Sequence, residues 1–244
     1  MVYHKDFQKE YFPKVISLVK KCILMAPDKC LRDINRDKFE VVVRSIDNMQ
    51  KRNLTKDERD KESELFKLEI CLLCLKSGYL ERRIQGIKDL NQLIRNNMIK
   101  ISKTIPNAVL IQWLKDNEVF SIIFDPKKTH LQIVQRTSDI LKLLLVEDEL
   151  TPHLLEMFWN LSRSDYKVEV YKILNDVAFY LKKDNFDFIL QQIIGNQGNL
   201  EKMSIDDYQC LNEMAKFAKD EEFKANVNKF FWDIIIKTDQ HKMG

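Results

Sequence analysis

Residues 55–78, TKDERDKESELFKLEICLLCLKSG, decide the fold class of this chain, because they contain a helix with signals at both of its ends. Thr55 and Glu58 form a capping-box pattern, in which each side chain can bond the backbone amide of the other residue. The apolar residues of the second half recur with the period of a helix. Gly78 is well placed to end this helix as a left-handed residue. The stretch therefore predicts an α-helix over residues 55–76.

Helical patterns continue along the rest of the chain. No stretch shows convincing strand alternation, and five Gly and five Pro in 244 residues leave little material for the tight turns of β folds. We therefore predict an all-α fold. The other predicted helices cover about residues 5–26, 37–49, 79–97, 130–146, 152–161, 165–182, 185–194, 204–219 and 222–238, with a short helix after Pro106.

Three of these helices have further local signals. Pro13 predicts that the first turns of helix 5–26 are kinked or form a separate piece. Thr151 and Pro152 suit an N-cap and the first helical position. Ser204 and Asp207 form a second capping-box pattern, with Asp in place of Glu. One face of the first helix is expected to consist of Phe7, Tyr11, Val15, Leu18 and Cys22.

Two segments of the chain are similar to each other. Moving residues 141–159 forward by 73 positions places them on 214–232. Any two amphipathic helices share a rhythm by coincidence, but matching Phe-Trp pairs in one register favour a repeat. Two helical hairpins of armadillo or HEAT type, at about 35–47 residues each, would fill this shift. The paired residues are Leu141 with Met214, Leu144 with Phe217, Leu150 with Phe223, Leu154 with Val227, Phe158 with Phe231 and Trp159 with Trp232.

The repeat interpretation predicts an armadillo/HEAT-like α-α superhelix, because each hairpin buries its apolar face against its neighbours. No low-complexity linker divides the chain, so we expect residues 1–244 to form a single helical-repeat domain. Residues 1–60 fit this assignment least well.

The charges are nearly balanced, with 40 Lys and Arg against 37 Asp and Glu and a net charge of +3. This balance argues against a protein that neutralises nucleic-acid phosphates. The chain opens with no secretory signal, and no apolar run reaches the ~18 residues of a membrane span. The cysteines are few and mostly lie in apolar segments, so we interpret them as reduced, buried side chains of a cytosolic or nuclear protein. They are Cys22, Cys30, Cys71, Cys74 and Cys210.

The sequence motifs indicate no chemistry. Cys71 and Cys74 form a CxxC pair, but no second ligand pair accompanies it, so we interpret it as part of a core helix. No Cys lies at a helix start beside a His, and the glycines form no phosphate-binding loop. We assign no catalytic, cofactor-binding or metal-binding residue, no cofactor and no small-molecule substrate. The sequence identifies no partner-binding residue.

Charged and aromatic residues have two interpretations each. A basic cluster near the start could contact an acidic partner, although a solvated helix face is the more common outcome. The tryptophans could anchor a peptide, but their amphipathic stripes predict packing between hairpins. The basic cluster is Lys14, Lys20, Lys21 and Lys29, and the tryptophans are Trp113, Trp159 and Trp232.

A series of distinct motifs follows in order along the chain. They are FKLEICLLCLKSGYLERRIQGIKDLN at 66–91, LIQWLKDNEV at 110–119, QRTSDILKLLL at 135–145, ELTPHLL at 149–155, FWNL at 158–161, KVEVYKILNDVA at 167–178 and FWDII at 231–235. In this order and spacing, residues 66–239 resemble a region of the very large, fat-facets-type ubiquitin-specific proteases. Residues 1–60 match only loosely.

The resemblance implies a non-catalytic, armadillo-like region upstream of a papain-like domain that removes ubiquitin. The Cys box and the His box of that domain are absent here, so no catalytic residue is carried over, and we do not expect this chain to be an enzyme. It would be a fragment or a truncated relative of a deubiquitinase. The implied partners are proteins, namely ubiquitinated substrates or adaptors.

Three functions compete at this stage. The first is a scaffold that positions substrates or partner proteins for a large ubiquitin-specific protease. The second is a stand-alone armadillo/HEAT-like adaptor in trafficking or nuclear transport. The third, a helical RNA-binding repeat protein, is disfavoured by the balanced charge and by the lack of repeated base-reading side chains.

Overall fold

The computed structural model describes residues 3–31, 36–51, 53–99, 104–125, 127, 129–194 and 203–242, and these ranges contain helices and no strand. The all-α prediction is confirmed. The helices are α1 (Tyr3–Leu24), α2 (Asp28–Leu31), α3 (Arg36–Gln50), α4 (Lys56–Leu75), α5 (Leu80–Met98), α6 (Asn107–Asp116), α7 (Val119–Ile123), α8 (Leu131–Val134), α9 (Ser138–Val146), α10 (Pro152–Asn160), α11 (Lys167–Val177), α12 (Lys183–Ile194), α13 (Ile205–Phe217) and α14 (Glu221–Lys242).

The chain divides into two compact units. Unit 1 comprises Met1–Ile123 and Lys128–Asp139, and unit 2 comprises Phe124–Lys127 and Ile140–Gly244. The expectation of one repeat domain over residues 1–244 stays a prediction.

The α4–α5 hairpin is the most extensively packed helix pair of unit 1. Its first helix begins as predicted, because the Thr55 amide donates to Glu58 Oε2 at 2.8 Å and the Glu58 amide donates to Thr55 Oγ1 at 3.4 Å. Gly86 lies on the face of α5 that packs against Cys71, Cys74 and Leu75 of α4. A Cβ there would lie 2.9 Å from the Cys71 carbonyl oxygen, so Gly86 allows α5 to pack closely on α4.

Gly78 corrects one expectation about this hairpin. Its φ lies outside the left-handed region, so it does not end α4 in the way we predicted. The Asp28 carboxylate holds the turn instead, since it accepts from Gly78 N at 2.8 Å and from Ser77 Oγ at 2.5 Å. The chain thus fixes this turn with a side chain 49 positions before Ser77.

Helix α1 is continuous through Pro13, and its buried face differs from the predicted one. Ile16 is buried, and Phe12 and Ile23 pack beside it against residues of α3 and α4. The predicted stripe turns outward: Tyr11, Val15, Leu18 and Cys22 are all exposed. The Phe7 side chain lies outside the described residues.

Several predicted helix bounds are also corrected. The helix predicted over 130–146 is two helices, α8 and α9, and buried Thr137 lies between them with its hydroxyl bonded to the Val134 carbonyl. The helix predicted over 165–182 ends at Val177 and continues as a 3₁₀ turn, Ala178–Tyr180. The short helices α2 and α7 were missed.

Unit 2 contains two consecutive hairpins, α11–α12 and α13–α14. The first helices begin at Lys167 and Ile205, and the second helices begin at Lys183 and Glu221, so both pairs are 38 residues apart (205 − 167 and 221 − 183). Corresponding helices contact each other, as in the stacking of the Phe186 and Phe223 rings at 4.0 Å. Unit 2 therefore contains a structural repeat of the length that helical-hairpin repeats have.

The 73-residue match is wrong in its register. Helices α9 and α13 begin 67 residues apart (205 − 138), and α10 and α14 begin 69 residues apart (221 − 152). The matched tryptophans consequently occupy different environments: Trp159 is 4% exposed and stacks on Tyr171, whereas Trp232 is 64% exposed. The packing role predicted for the tryptophans holds for Trp159 and fails for Trp232.

Candidate protein-binding groove

A groove runs between α11 and α13 in unit 2. The two helices run side by side in the same direction, since Lys167 at the start of α11 contacts Ser204 and Asn175 near its end contacts Cys210. The groove has a volume of about 560 Å³. It is open to solvent along its length and so suits an extended segment rather than an enclosed small molecule.

The groove forms because both helices present one ridge of side chains to it. One ridge consists of Val168, Lys172 and Asn175 on α11 and Phe179 in the 3₁₀ turn that follows it, at spacings of four, three and four. Residues at these spacings share one helix face. The ridge of α13 comprises Asp206, Gln209, Glu213 and Phe217.

Three of the lining side chains are apolar and exposed: Val168, Phe179 and Phe217. Phe179 is partly covered by the ammonium of Lys219, which lies 3.7 Å from the ring centroid. Large apolar side chains at the edge of a groove leave surface that a partner can bury.

A buried cluster around Asp207 holds the two walls together. The Asp207 carboxylate is 1% exposed and accepts from Tyr171 Oη at 2.6 Å, while Lys167 Nζ lies 2.8 Å from the same oxygen. Its other oxygen accepts from Ser204 N at 2.8 Å, which completes the predicted capping box. These charge-assisted bonds fix the spacing of α11 and α13 at their first turns.

The cluster shifts the pKa values of its members. Burial opposes ionisation of Asp207, but the hydrogen bonds from Lys167, Tyr171 and Ser204 outweigh it and lower the pKa of this carboxyl. Burial and the bond to Asp207 raise the pKa of Tyr171. Near neutral pH the cluster is therefore a carboxylate bonded by a neutral phenol and an ammonium, which is a structural arrangement rather than a proton-transfer pair.

The floor of the groove is neutral. The Cys210 thiol is buried and lies 3.8 Å from Asn175 Oδ1. Burial is the main cause that raises the pKa of Cys210, so the thiol stays protonated at neutral pH and is a poor nucleophile.

The residues that line the groove include more carboxylates than ammonium groups. Three lining carboxylates, Asp176, Asp206 and Glu213, face one lining ammonium, Lys172. Lys216 binds Glu213 from the rim at 2.5 Å. Lys219 adds another ammonium at the rim, over Phe179. A partner segment with basic side chains is therefore complementary to the part of the groove that Asp176 and Asp206 line.

The structure places the CxxC pair in the core of unit 1. Cys71 and Cys74 are buried, and burial is the main cause that raises the pKa of Cys74 to about 11. The described part of the chain has no group of three or more His, Cys, Asp or Glu side chains arranged to hold a metal ion. Cys22 and Cys30 are exposed, so the prediction that the cysteines are buried is wrong for these two.

Two histidines lie at the starts of helices. His130 caps α8, where its Nδ1 accepts from the Gln132 amide at 3.2 Å. His153 lies in the first turn of α10, after the predicted cap at Thr151, whose hydroxyl accepts from the Leu154 amide. Among the described helices, none is both long and apolar enough to cross a membrane.

The groove residues were missed at the sequence level. One signal was available: Val168 and Phe179 are apolar side chains on the polar side of the α11 pattern, and Phe217 has the same position on α13. That signal alone does not predict which helix lies opposite, because α11 and α13 are separated by a whole helix along the chain.

Comparison with known proteins relates the chain to one group. A family model described as "UBP24/USP9X/USP9Y ARM repeat" matches residues 61–243. The chain is 19% identical over 248 residues to human ubiquitin carboxyl-terminal hydrolase 9Y and 18% identical over 248 residues to mouse ubiquitin carboxyl-terminal hydrolase 9X. Each match covers 95% of this chain and 10% of the relative.

A shorter match has higher identity. The chain is 28% identical over 131 residues to mouse ubiquitin carboxyl-terminal hydrolase 24, which covers 51% of this chain and 5% of the relative. The chain thus spans about a tenth or less of the length of these relatives. No solved structure matches it.

Proposed function

Because this chain belongs to the UBP24/USP9X/USP9Y ARM repeat family, we propose that it is a non-catalytic scaffold of a large ubiquitin-specific protease and that it positions substrates or partner proteins. Its fold is all-α and armadillo-like. Relatives that are named ubiquitin carboxyl-terminal hydrolases support the link to deubiquitination. The positioning role rests on the groove between α11 and α13.

The main support for this role is that the groove combines exposed apolar side chains with more lining carboxylates than lining ammonium groups. Val168, Phe179 and Phe217 offer apolar contacts, and the carboxylates exceed the ammonium groups among the lining residues. The occupant that fits is an extended segment of a partner protein with bulky apolar and basic residues. The rigid Asp207 cluster keeps the groove formed before binding, which lowers the entropic cost of docking.

Selection from a library of displayed random peptides tests this assignment. We expect the peptides retained by the full chain to share basic residues beside a large apolar one. The double substitution Asp176→Lys and Glu213→Lys should weaken their binding by at least about tenfold, since it reverses the charge of the groove. Phe217→Ser should also weaken binding, because an apolar contact is removed.

The matched control is Glu156→Lys, an exposed charge reversal on α10 that does not line the groove. Its peptide binding should equal that of the unmodified chain. Retained peptides without basic residues, or equal losses for the control and the groove variants, would contradict the assignment to this groove.

The non-catalytic part of the proposal has its own test. We expect the purified chain to leave ubiquitin conjugates uncleaved, because its sequence lacks the Cys box and the His box of the protease domain. Cleavage that depends on a cysteine of this chain would refute this part.

The size of the native protein separates the two scaffold hypotheses. A cellular product several-fold larger than 29.1 kDa, with peptides from a Cys/His protease domain, would support the deubiquitinase scaffold. A product of about this size would favour the stand-alone adaptor.

A further inference from the structure

An exposed apolar stripe lies on the outer face of α1. It consists of Tyr11, Val15, Leu18 and Cys22 on α1, at spacings of four, three and four, and continues to Met25 in the turn after the helix. Tyr11, Val15, Leu18 and Met25 are between 42% and 70% exposed. This spacing is the one by which two helices pack along a shared seam.

The stripe is distinct from the face that holds α1 in the fold. Ile16 is buried in a cluster with Phe39 and Phe66, and Phe12 and Ile23 pack at its border. Lys20 binds Glu62 of α4 at 3.0 Å on that inner side. The inner contacts therefore account for the position of α1 against the core, and the stripe lies on the side of the helix away from that core.

Basic residues border the stripe. Lys14 and Lys21 are exposed and lie one helical turn or less from Leu18, and Lys14 lies 5.2 Å from the Tyr11 ring centroid. Residues 11–26 contain Lys14, Lys20 and Lys21 and not one Asp or Glu. A helix that packs on this stripe thus meets positive charge at the edge of an apolar seam.

We propose that the outer face of α1 is a docking surface for an acidic amphipathic helix of a partner protein. The partner's apolar stripe would pack along Tyr11, Val15, Leu18, Cys22 and Met25, and its flanking carboxylates would pair with Lys14 and Lys21. Charge selects this occupant over a second copy of α1, because two copies would bring lysines together along the seam. The surface lies in unit 1 and is independent of the groove proposed above.

Two synthetic helices provide the probe. Both are about three heptads long with Leu at the seam positions, and they differ in having Glu or Lys at the flanking positions. We expect the Glu peptide to bind the full chain at least about tenfold more tightly than the Lys peptide, with an affinity that falls as salt rises.

Cysteine labelling locates the bound peptide. The Glu peptide should slow the reaction of Cys22 with a thiol reagent and leave the reaction of Cys30 unchanged, because both are exposed and only Cys22 lies in the stripe. Unchanged reaction at Cys22 while the peptide is bound would overturn the proposal, and so would equal protection of both cysteines.

Two variants complete the test. Lys14→Glu with Lys21→Glu should reverse the preference and favour the Lys peptide, and Leu18→Glu should abolish binding of both peptides. Val41→Glu is the control, since Val41 is equally exposed on α3 outside the stripe. A preference that survives the charge reversal would overturn the proposal. A dimer that forms without peptide and is lost in Leu18→Glu would assign the stripe to a second copy instead.

Discussion

Asp207 combines three roles in one side chain. It completes the cap of α13 through Ser204, it accepts from Tyr171 on α11, and it pairs with Lys167. A carboxylate that is 1% exposed is stable in such a position only when hydrogen bonds replace its lost hydration. The separation of the groove walls depends on these bonds at the first turns of both helices.

Asp207→Asn should therefore destabilise unit 2 by about 1–3 kcal/mol at pH 7, because the ion pair with Lys167 is lost and Tyr171 keeps a weaker acceptor. The pKa of Asp207 is lowered in the folded chain, so its stabilising contribution is complete above the unfolded value of about 3.9 and declines as pH falls through the folded value. Urea unfolding from pH 7 to pH 3 measures both effects.

The gap between the variant and the unmodified chain should narrow only below about pH 4. Asp206→Asn is the control at an exposed neighbouring position and should change the free energy of unfolding by less than about 0.5 kcal/mol. A gap that stays constant down to pH 3 would contradict the assigned ionisation of Asp207.

Gly86 determines how closely α4 and α5 pack. In an exposed helix interior, Gly→Ala stabilises by about 1 kcal/mol. Here the added Cβ would lie 2.9 Å from both the Cys71 carbonyl oxygen and Cys74 Cβ, so we expect Gly86→Ala to destabilise unit 1 by about 1–3 kcal/mol. Lys88→Ala, on the exposed side of α5, should be nearly neutral in the same thermal unfolding experiment. Equal stability of Gly86→Ala and the unmodified chain would show that the helices can separate at no cost.

At the scale of the helices, the two capping boxes differ in what surrounds them. Thr55→Ala should cost about 1 kcal/mol, the usual loss for an exposed cap. Ser204→Ala should cost more, about 2 kcal/mol, because Ser204 Oγ also contacts Lys167 Nζ at 3.0 Å and bonds buried Asp207. Chemical denaturation followed by circular dichroism gives both values, and Ser17→Ala on exposed α1 provides a neutral reference. A larger loss of stability for Thr55→Ala than for Ser204→Ala would show that the cap at Ser204 gains nothing from the Asp207 cluster.

The sequence predicts most helices because their signals are local. The start of α4 follows from Thr55 and Glu58, and the start of α10 follows from Thr151 and Pro152, since each cap involves residues within one turn. The break between α8 and α9 has no such signal. It falls at buried Thr137, whose hydroxyl donates to the Val134 carbonyl, and burial is decided by tertiary packing rather than by neighbouring residues in the sequence.

The buried face of α1 shows a second limit of prediction from sequence. The helix has apolar side chains both on its inner side, at Ile16, and on its outer side, at Leu18, so periodicity alone does not decide which side faces the core. The groove could not be predicted for a related reason. Tyr171 and Asp207 are 36 positions apart in the sequence, and only the packing of α11 against α13 brings them together. Residues that pack within a helix were predictable, and pairs between repeats were not.

At the scale of the whole molecule, the five cysteines report where the chain is closed to solvent. Cys22 and Cys30 are exposed, whereas Cys71, Cys74 and Cys210 are buried. A thiol reagent should therefore modify two sites rapidly in the native protein and the other three only on unfolding, and the raised pKa of about 11 slows Cys74 further at neutral pH. Mass spectrometry of the labelled peptides identifies the sites. Rapid native labelling of Cys210 would contradict the closed floor of the groove.

The 38-residue spacing of the helix pairs in unit 2 places each pair on the one before it. Each hairpin covers an apolar face of the previous one, as Phe223 does with Phe186. The spacing of 73 residues that the sequence indicated is close to two such repeats, so the repeat length was predicted better than the residues that correspond. Polar clusters such as Lys183 with Glu222 at 2.7 Å join the same pairs of helices at the surface.

The bond from Asp28 to the α4–α5 turn also bears on the time at which the chain becomes ordered during its synthesis. A ribosome releases α1, α2 and α3 before α4, and Asp28 can bond Ser77 only after a further 49 residues have been made. Ile16 and Phe39 likewise acquire their contacts with Phe66 only when α4 has emerged. Until α4 and its turn have been made, the segment α1–α3 therefore lacks these contacts, and its apolar side chains are available to the chaperones that attend nascent chains.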